Sequence, residues 1–197
     1  RPPSEVVADS VRRYGPDRIE VSVALPNRVI ALEEHVVTPE LKTHLDRLES
    51  PNLRNSPAFM EAGLIDVSDA RLADMDRLGI DVQVLSHRPP GAQFADPDLA
   101  IVQAQRANDA LAAAIDRHPT RFAGFATLPT SAPDAAAAEF HRCVTDLGFK
   151  GAMVHGRVGN AFLDHPELDP ILRAAADLDL PIFVHPGAVS YTHLRAH

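Results

Sequence analysis

The chain has 197 residues, 45% of them hydrophobic and 23% charged, a composition that suits one globular domain with a sizeable core and argues against disorder. A formal net charge of -8 at pH 7, with Lys and Arg scattered along the chain, speaks against a nucleic-acid or anionic-membrane surface and for a small-molecule partner. A lone cysteine, Cys143, excludes an internal disulfide framework and fits a cytoplasmic setting, and no apolar run approaches the ~20 residues of a membrane span.

Residues 1–27 carry Pro2, Pro3, Pro16 and Pro26 with weak periodicity and read as an irregular leader, with one short strand, RIEVSVAL, at most. RVIALEEH (28–35) is the first clear strand. DARLADMDRLG follows as a helix with Leu72, Met75 and Leu78 on one stripe and Gly79 at its stop. DVQVLS (81–86) is the second strand. A long helix then opens with Asp96 as N-cap and Pro97 in its first position, and spaces Leu99, Val102, Leu111 and Ile115 helically. RFAGFATL is the third strand. Ser131 and Asp134 stand in a capping pattern before an Ala-rich helix expected to run to Leu147 and stop at Gly148. KGAMVH is the fourth strand, Asp164 or Asp169 is expected to cap the next helix, and PIFVH is the fifth strand.

Strands alternating with helices through short loops require right-handed crossovers and a parallel sheet. A doubly wound open sheet and a (β/α)8 barrel both satisfy this. An open-sheet nucleotide site carries a glycine-rich turn after its first strand, whereas EEHVVTPEL has no glycine there. A barrel instead gathers polar side chains from the C-terminal ends of several strands, and that is the pattern present.

Side chains alternate along a strand, so Glu33 and His35 share a face with Val29 and Ala31, and Glu34 goes with Ile30 and Leu32. Glu33 and His35 then both point to the barrel mouth, about 6 to 7 Å apart along the backbone. His185 ends strand five in the same manner. One carboxylate and two imidazoles suit a divalent transition metal such as Zn or Mn. Solvated glutamates beside a His that caps a backbone group are the other reading these residues allow.

ALEEH (31–35), RLADMDRLGIDVQVLS (71–86), GFKGAMVHG (148–156), LDHPELDPILRAA (163–175) and PIFVHPG (181–187) together resemble the amidohydrolase-related decarboxylases. That family contains aminocarboxymuconate semialdehyde, γ-resorcylate and 2,3-dihydroxybenzoate decarboxylases. The resemblance implies a (β/α)8 barrel, truncated here after about five strands, with residues 28–189 as its N-terminal part. It implies metal ligands Glu33, His35 and His185, with Glu34 outside the ligand set. The family's catalytic His after strand six and metal-binding Asp after strand eight have no counterpart in the chain. The implied activity is metal-dependent, non-oxidative decarboxylation of a hydroxylated aromatic or related unsaturated acid by a protein that is a homo-oligomer when intact. Two alternatives stand beside it, a metal-dependent hydrolase of lactones, esters or amides and a non-catalytic barrel fragment.

His155 stands where related sequences often carry Asn, at the mouth of strand four, where it either contacts substrate or metal or is a neutral, hydrogen-bonded side chain. Arg88, beside PPG, either pairs with a substrate carboxylate or belongs to a solvated loop. His118, His141 and His165 receive no role. Residues 190–197, SYTHLRAH, do not continue the family pattern, so His193 and His197 are not expected to be ligands. Five strands of an eight-stranded barrel leave two open edges, and a marginal, aggregation-prone domain is the expectation.

Overall fold

The computed structural model describes residues 28–45, 63–65, 67–93, 96–158 and 161–186. The expected leader with its RIEVSVAL strand, and the 190–197 tail with His193 and His197, lie outside the described residues. In chain order the elements are β1 (Ile30–Val36), α1 (Pro39–Leu45), α2 (Asp69–Leu78), β2 (Val82–His87), α3 (Pro97–Arg117), β3 (Phe122–Gly124), β4 (Ala126–Thr127), α4 (Pro133–Thr145), β5 (Ala152–His155), a 3-10 turn (Pro166–Leu168), α5 (Asp169–Leu178) and β6 (Ile182–His185).

Every pairing among the described strands is parallel, in the orders β1-β2-β3 and β4-β5-β6. Only Phe125 separates β3 from β4, and the alternation of faces runs through it. Phe122 and Ala126 pack outward among the helices, while Ala123 and Phe125 pack inward. The two form one stave, so the described residues build five parallel staves of a (β/α)8 barrel. Val84, Phe125 and Met153 fill its interior. A larger outer layer, with Leu85, Leu111, Phe140, Phe149, Val154 and Ile171, seals the staves against the helices. Each large side chain buried there contributes about 1.5–3 kcal/mol.

Asp96 accepts from the Leu99 amide at the start of α3, with Pro97 following as expected. The buried face of α3, however, is Ala100, Ala104, Ala107, Leu111 and Ala114, and Val102 is 42% exposed. Small residues let the helix approach the staves closely, so the stripe falls on alanines. Leu78 likewise leaves the predicted stripe of α2 and is exposed, while Met75 is buried. Gly79 ends α2 in the left-handed conformation at φ 72°, which glycine adopts without strain.

Two predicted helix starts are corrected. The helix α4 begins at Pro133 behind Ala132 with no side-chain cap and ends at Thr145, so Ser131 and Asp134 do not act as a capping pair. Asp169 lies inside the first turn of α5, where it meets Arg173 at 2.6 Å, and Leu168 holds the cap position. Asp164 caps nothing either, because His165 accepts from Glu167 at the head of the 3-10 turn. Prolines 133 and 170 supply pre-set φ at the two helix starts that lack a capping side chain, and Pro166 does so behind the His165 cap.

Ile30 and Leu32 on β1 and Val184 on β6 are each at least half exposed. Val184 points outward with its partner Val154, whereas Ile30 pairs with Val82 on the inner side ahead of the register break that contains Leu32, and all three belong to the outermost described staves. No described helix is long and apolar enough to cross a membrane.

Candidate metal centre

Glu33 and His35 reach the inner face at the end of β1, but not by unbroken alternation. The β1–β2 register slips between Ala31 and Glu34, so Ala31, opposite Gln83, lies on the other face from His35, opposite Ser86, and the expected shared face of Ala31 with Glu33 and His35 is corrected. On the far side His155 stands beside His185. Glu33 Oε1 lies 3.0 Å from His185 Nε2 and 3.9 Å from His35 Nε2, and the two imidazole nitrogens are 3.2 Å apart. The structure therefore gathers all three predicted ligands, one donor atom of each within 4.8 Å of the others.

The protons can be placed from their partners. His185 Nδ1 lies 2.7 Å from the Pro186 carbonyl, which only accepts, so Nδ1 carries the hydrogen and Nε2 presents a lone pair. His35 Nδ1 faces Ser86 Oγ at 3.3 Å, a hydroxyl able to take its proton in the same way. In that tautomer two imidazole lone pairs and a carboxylate oxygen converge with no hydrogen between them. Such an arrangement is repulsive alone and favourable around a cation, and imidazoles oriented through their second nitrogen are the usual form of metal-binding histidines. Burial and the neighbouring His185 hold the His35 pKa below its ordinary value, with Glu33 and Ser86 opposing. A neutral ring is the form a metal needs.

Glu34 turns the other way. Its carboxylate lies 3.9 Å from Arg71, and burial raises its pKa against the opposing pull of that guanidinium. Arg71 also donates to the His35 carbonyl at 3.0 Å, to Gln83 at 3.0 Å and to the Gly63 carbonyl at 2.7 Å. It braces the backbone of the stave that carries two of the three ligands.

His155 ends β5 on the same inner face, only 6% exposed, its ring edge-on to His185 with centroids 5.3 Å apart. Burial first, then the neighbouring histidines, push its pKa down to about 3. The ring is thus neutral, but among the described residues Nδ1 has no hydrogen-bond partner. Arg88 is 5% exposed, which removes the solvated-loop reading, because the segment after β2 folds inward across the mouth. Its amide donates to the Val36 carbonyl at 3.0 Å. His87 faces the other way, donating to the Ala107 carbonyl of α3, and burial pushes its pKa to about 4.

Sequence reasoning missed a set of supporting residues. Asn108 is fully buried in the alanine stripe of α3, and that polar interruption was the available signal. Its amide donates to the Thr127 carbonyl (3.0 Å) and to Glu139 (2.8 Å) and accepts from the Thr127 amide (2.9 Å). Arg142 grips Glu139 through two bonds of 2.8 Å. Gln93, whose carboxamide bonds the backbone of His155, and Arg71 gave no signal, since their partners are remote in sequence.

The family model described as amidohydrolase matches residues 44–197. Among curated relatives, a γ-resorcylate decarboxylase of Rhodococcus jostii (strain RHA1) is 38% identical over 80% of this chain and 50% of its own length. The chain spans about half the length of the curated relatives it matches. A solved 5-carboxyvanillate decarboxylase of Novosphingobium aromaticivorans, with bound manganese and 3-methoxy-4-hydroxy-5-nitrobenzoic acid, superposes with a TM-score of 0.75. It is 34% identical, and the match covers 81% of this chain and 51% of that one. A dihydroxybenzoic acid decarboxylase of Polaromonas sp. JS666, with manganese and 2-nitroresorcinol, gives a TM-score of 0.73 at 35% identity, over 86% of this chain and 52% of that one.

Proposed function

The chain belongs to the amidohydrolase family, and we propose that the protein it represents catalyses metal-dependent, non-oxidative decarboxylation of a hydroxylated aromatic or related unsaturated carboxylic acid. The observation that carries this reading is the convergence of Glu33 Oε1, His35 Nε2 and His185 Nε2, a proton-free donor set suited to a divalent transition ion. Manganese bound in two related decarboxylases favours Mn over Zn. The bound ion would supply Lewis-acid polarisation of substrate oxygens.

The remaining work falls to residues of this chain. Glu33, His35 and His185 hold the ion, and Ser86 and the Pro186 carbonyl orient the two rings. Arg88 supplies a planar guanidinium for the substrate carboxylate, and neutral His155 offers a hydrogen bond to a substrate oxygen. Val84, Phe125 and Met153 form an apolar floor that keeps water from the reacting carbon and strengthens these polar contacts. No described residue is assigned as the proton donor that replaces carbon dioxide. A cytoplasmic, homo-oligomeric enzyme belongs to the same reading, with the lone buried Cys143 suited to a reducing compartment.

The test is carbon dioxide release from 2,6-dihydroxybenzoate by the full-length protein supplied with Mn and no redox cofactor. Release that depends on Glu33, His35 and His185 is the expected result. Lactone or ester hydrolysis without carbon dioxide release would assign the metal-dependent hydrolase alternative instead.

A further inference from the structure

We propose that Gln93 is a positioning residue that locks the segment 88–93 against the end of β5, so that Arg88 and His155 form one preorganised wall for the substrate carboxylate; this rests on the decarboxylase reading of the mouth. The need for such a residue follows from the strand register. Thr127 pairs with Met153, so the β4 position facing His155 would be residue 129. That residue is Pro129, and the β4 groups that would continue the ladder begun by Ala126, the Leu128 carbonyl for the His155 amide and the Thr130 amide for its carbonyl, are bonded to each other instead. On this side His155, at 6% exposure, has lost its strand neighbour, and buried backbone groups without partners are costly.

Gln93 fills the gap. Its side-chain oxygen accepts from the His155 amide, and its Nε2 donates to the His155 carbonyl at 3.2 Å. One carboxamide thereby reproduces the donor and acceptor of a missing peptide.

The same segment is tied at other points along the mouth. The Arg88 amide donates to the Val36 carbonyl of β1, the Gly91 amide to the Arg88 carbonyl, and the Gln93 amide to the Pro90 carbonyl. The Ala92 amide donates to Thr127 Oγ1 at 2.9 Å. Gly91 lies so close to β4 and β5 that a Cβ there would stand 2.5 Å from Thr127 Oγ1 and 3.3 Å from His155 Nε2. The segment thus runs from β1 across to β5, and Gln93 is its far anchor. Free of that anchor, it retains its ties to β1 and β4 but no longer fixes Arg88 relative to His155.

Two variants test this. Gln93→Ala removes both bonds, and Gln93→Glu keeps the acceptor for the His155 amide while losing the donor to its carbonyl. Amide hydrogen exchange read by NMR should show the His155 N–H exchanging about tenfold faster in Gln93→Ala, with Thr127, held by Asn108, unchanged. In Gln93→Glu the His155 amide should stay protected. With Mn present, 2,6-dihydroxybenzoate should bind about tenfold more weakly to either variant, while the affinity for Mn alone stays within about twofold. An unchanged His155 exchange rate in Gln93→Ala would overturn the clamp, and Mn affinity falling in step with 2,6-dihydroxybenzoate affinity would reduce Gln93 to a general structural residue. If the unaltered protein bound Mn but no aromatic carboxylate, the functional reading would fail, and the exchange measurement would still decide the clamp.

Discussion

Replacing Asn108 by Ala should cost the fold about 4 kcal/mol, a figure that follows from what the side chain leaves behind. The amide of Asn108 satisfies both the N–H and the C=O of Thr127, at 2.9 and 3.0 Å, and Thr127 is 3% exposed. Water cannot readily replace either bond. An orphaned buried donor or acceptor costs about 1–3 kcal/mol, so two of them lose about 4 kcal/mol. The third bond, to Glu139, adds little, because Arg142 still holds that carboxylate through two contacts. Measured against a typical stability of about 5–15 kcal/mol, the loss is large, and it corresponds to a fall in melting temperature of roughly 10 °C for a chain of this size. Urea unfolding of the two proteins side by side reads the difference directly. A loss below about 1 kcal/mol would refute the reasoning, since it would mean that the Thr127 peptide finds other partners at no cost.

Two further outcomes follow from the same geometry. His87 is buried with its pKa at about 4 against the ordinary 6.5, so as pH falls below about 6.5 the unfolded chain takes up a proton that the folded chain refuses. Its contribution is full above that pH, declines towards about 4, and amounts to about 2 kcal/mol lost by pH 5. Urea midpoints at pH 7.5 and 5.0 should therefore fall less for His87→Gln than for the unaltered chain, and equal falls would contradict the assignment. At the mouth, Glu33→Gln should weaken Mn binding about a hundredfold or more, whereas Glu34→Gln should change it by less than about threefold, because loss of a charged ligand outweighs loss of a neighbour. Titration followed by the Mn spin-resonance signal separates the two, and similar effects would sink the division of faces along β1.

The staves were legible because a strand imposes its period on every side chain. Glu33 and His35, two apart at the end of a strand, share a face, and the alternation of Phe122 to Thr127 survives even the break at Phe125, whereas the register slip between Ala31 and Glu34, which puts Ala31 on the other face, leaves no mark in the period. The gathering of Glu33, His35 and His185 follows from placing three strand-end residues on one rim. Helix details were less legible. Prolines 133 and 170 start helices without a capping side chain, and α3 buries mostly alanines in place of its larger side chains. The supporting polar residues were illegible for a different reason. Arg71 meets the His35 carbonyl 36 residues away, and Gln93 meets His155 across 62. Nothing local in the sequence marks a carboxamide or guanidinium whose partner is a distant backbone group.

Arg71, Asn108 and Gln93 all complete strand-end peptides that lack a strand partner. Staves of a barrel tilt and stagger, so neighbouring strands end at different heights and the last peptides at the mouth outrun their partners. Asn108 at Thr127 and Gln93 at His155 each supply polar groups to such a peptide, and Arg71 does the same for the His35 carbonyl, which points away from β2 to the side of β1 where no described strand pairs. The ends they complete are the ones that carry the candidate site or touch it, since catalytic side chains of a barrel belong at the same rim. Stability and geometry are therefore coupled at this end of the barrel. A clamp that is lost both strands a buried peptide and frees the side chain projecting from it, so substitutions at these positions should lower folding stability and ligand affinity together, whereas changes in the outer layer around Phe140 and Phe149 should lower stability alone.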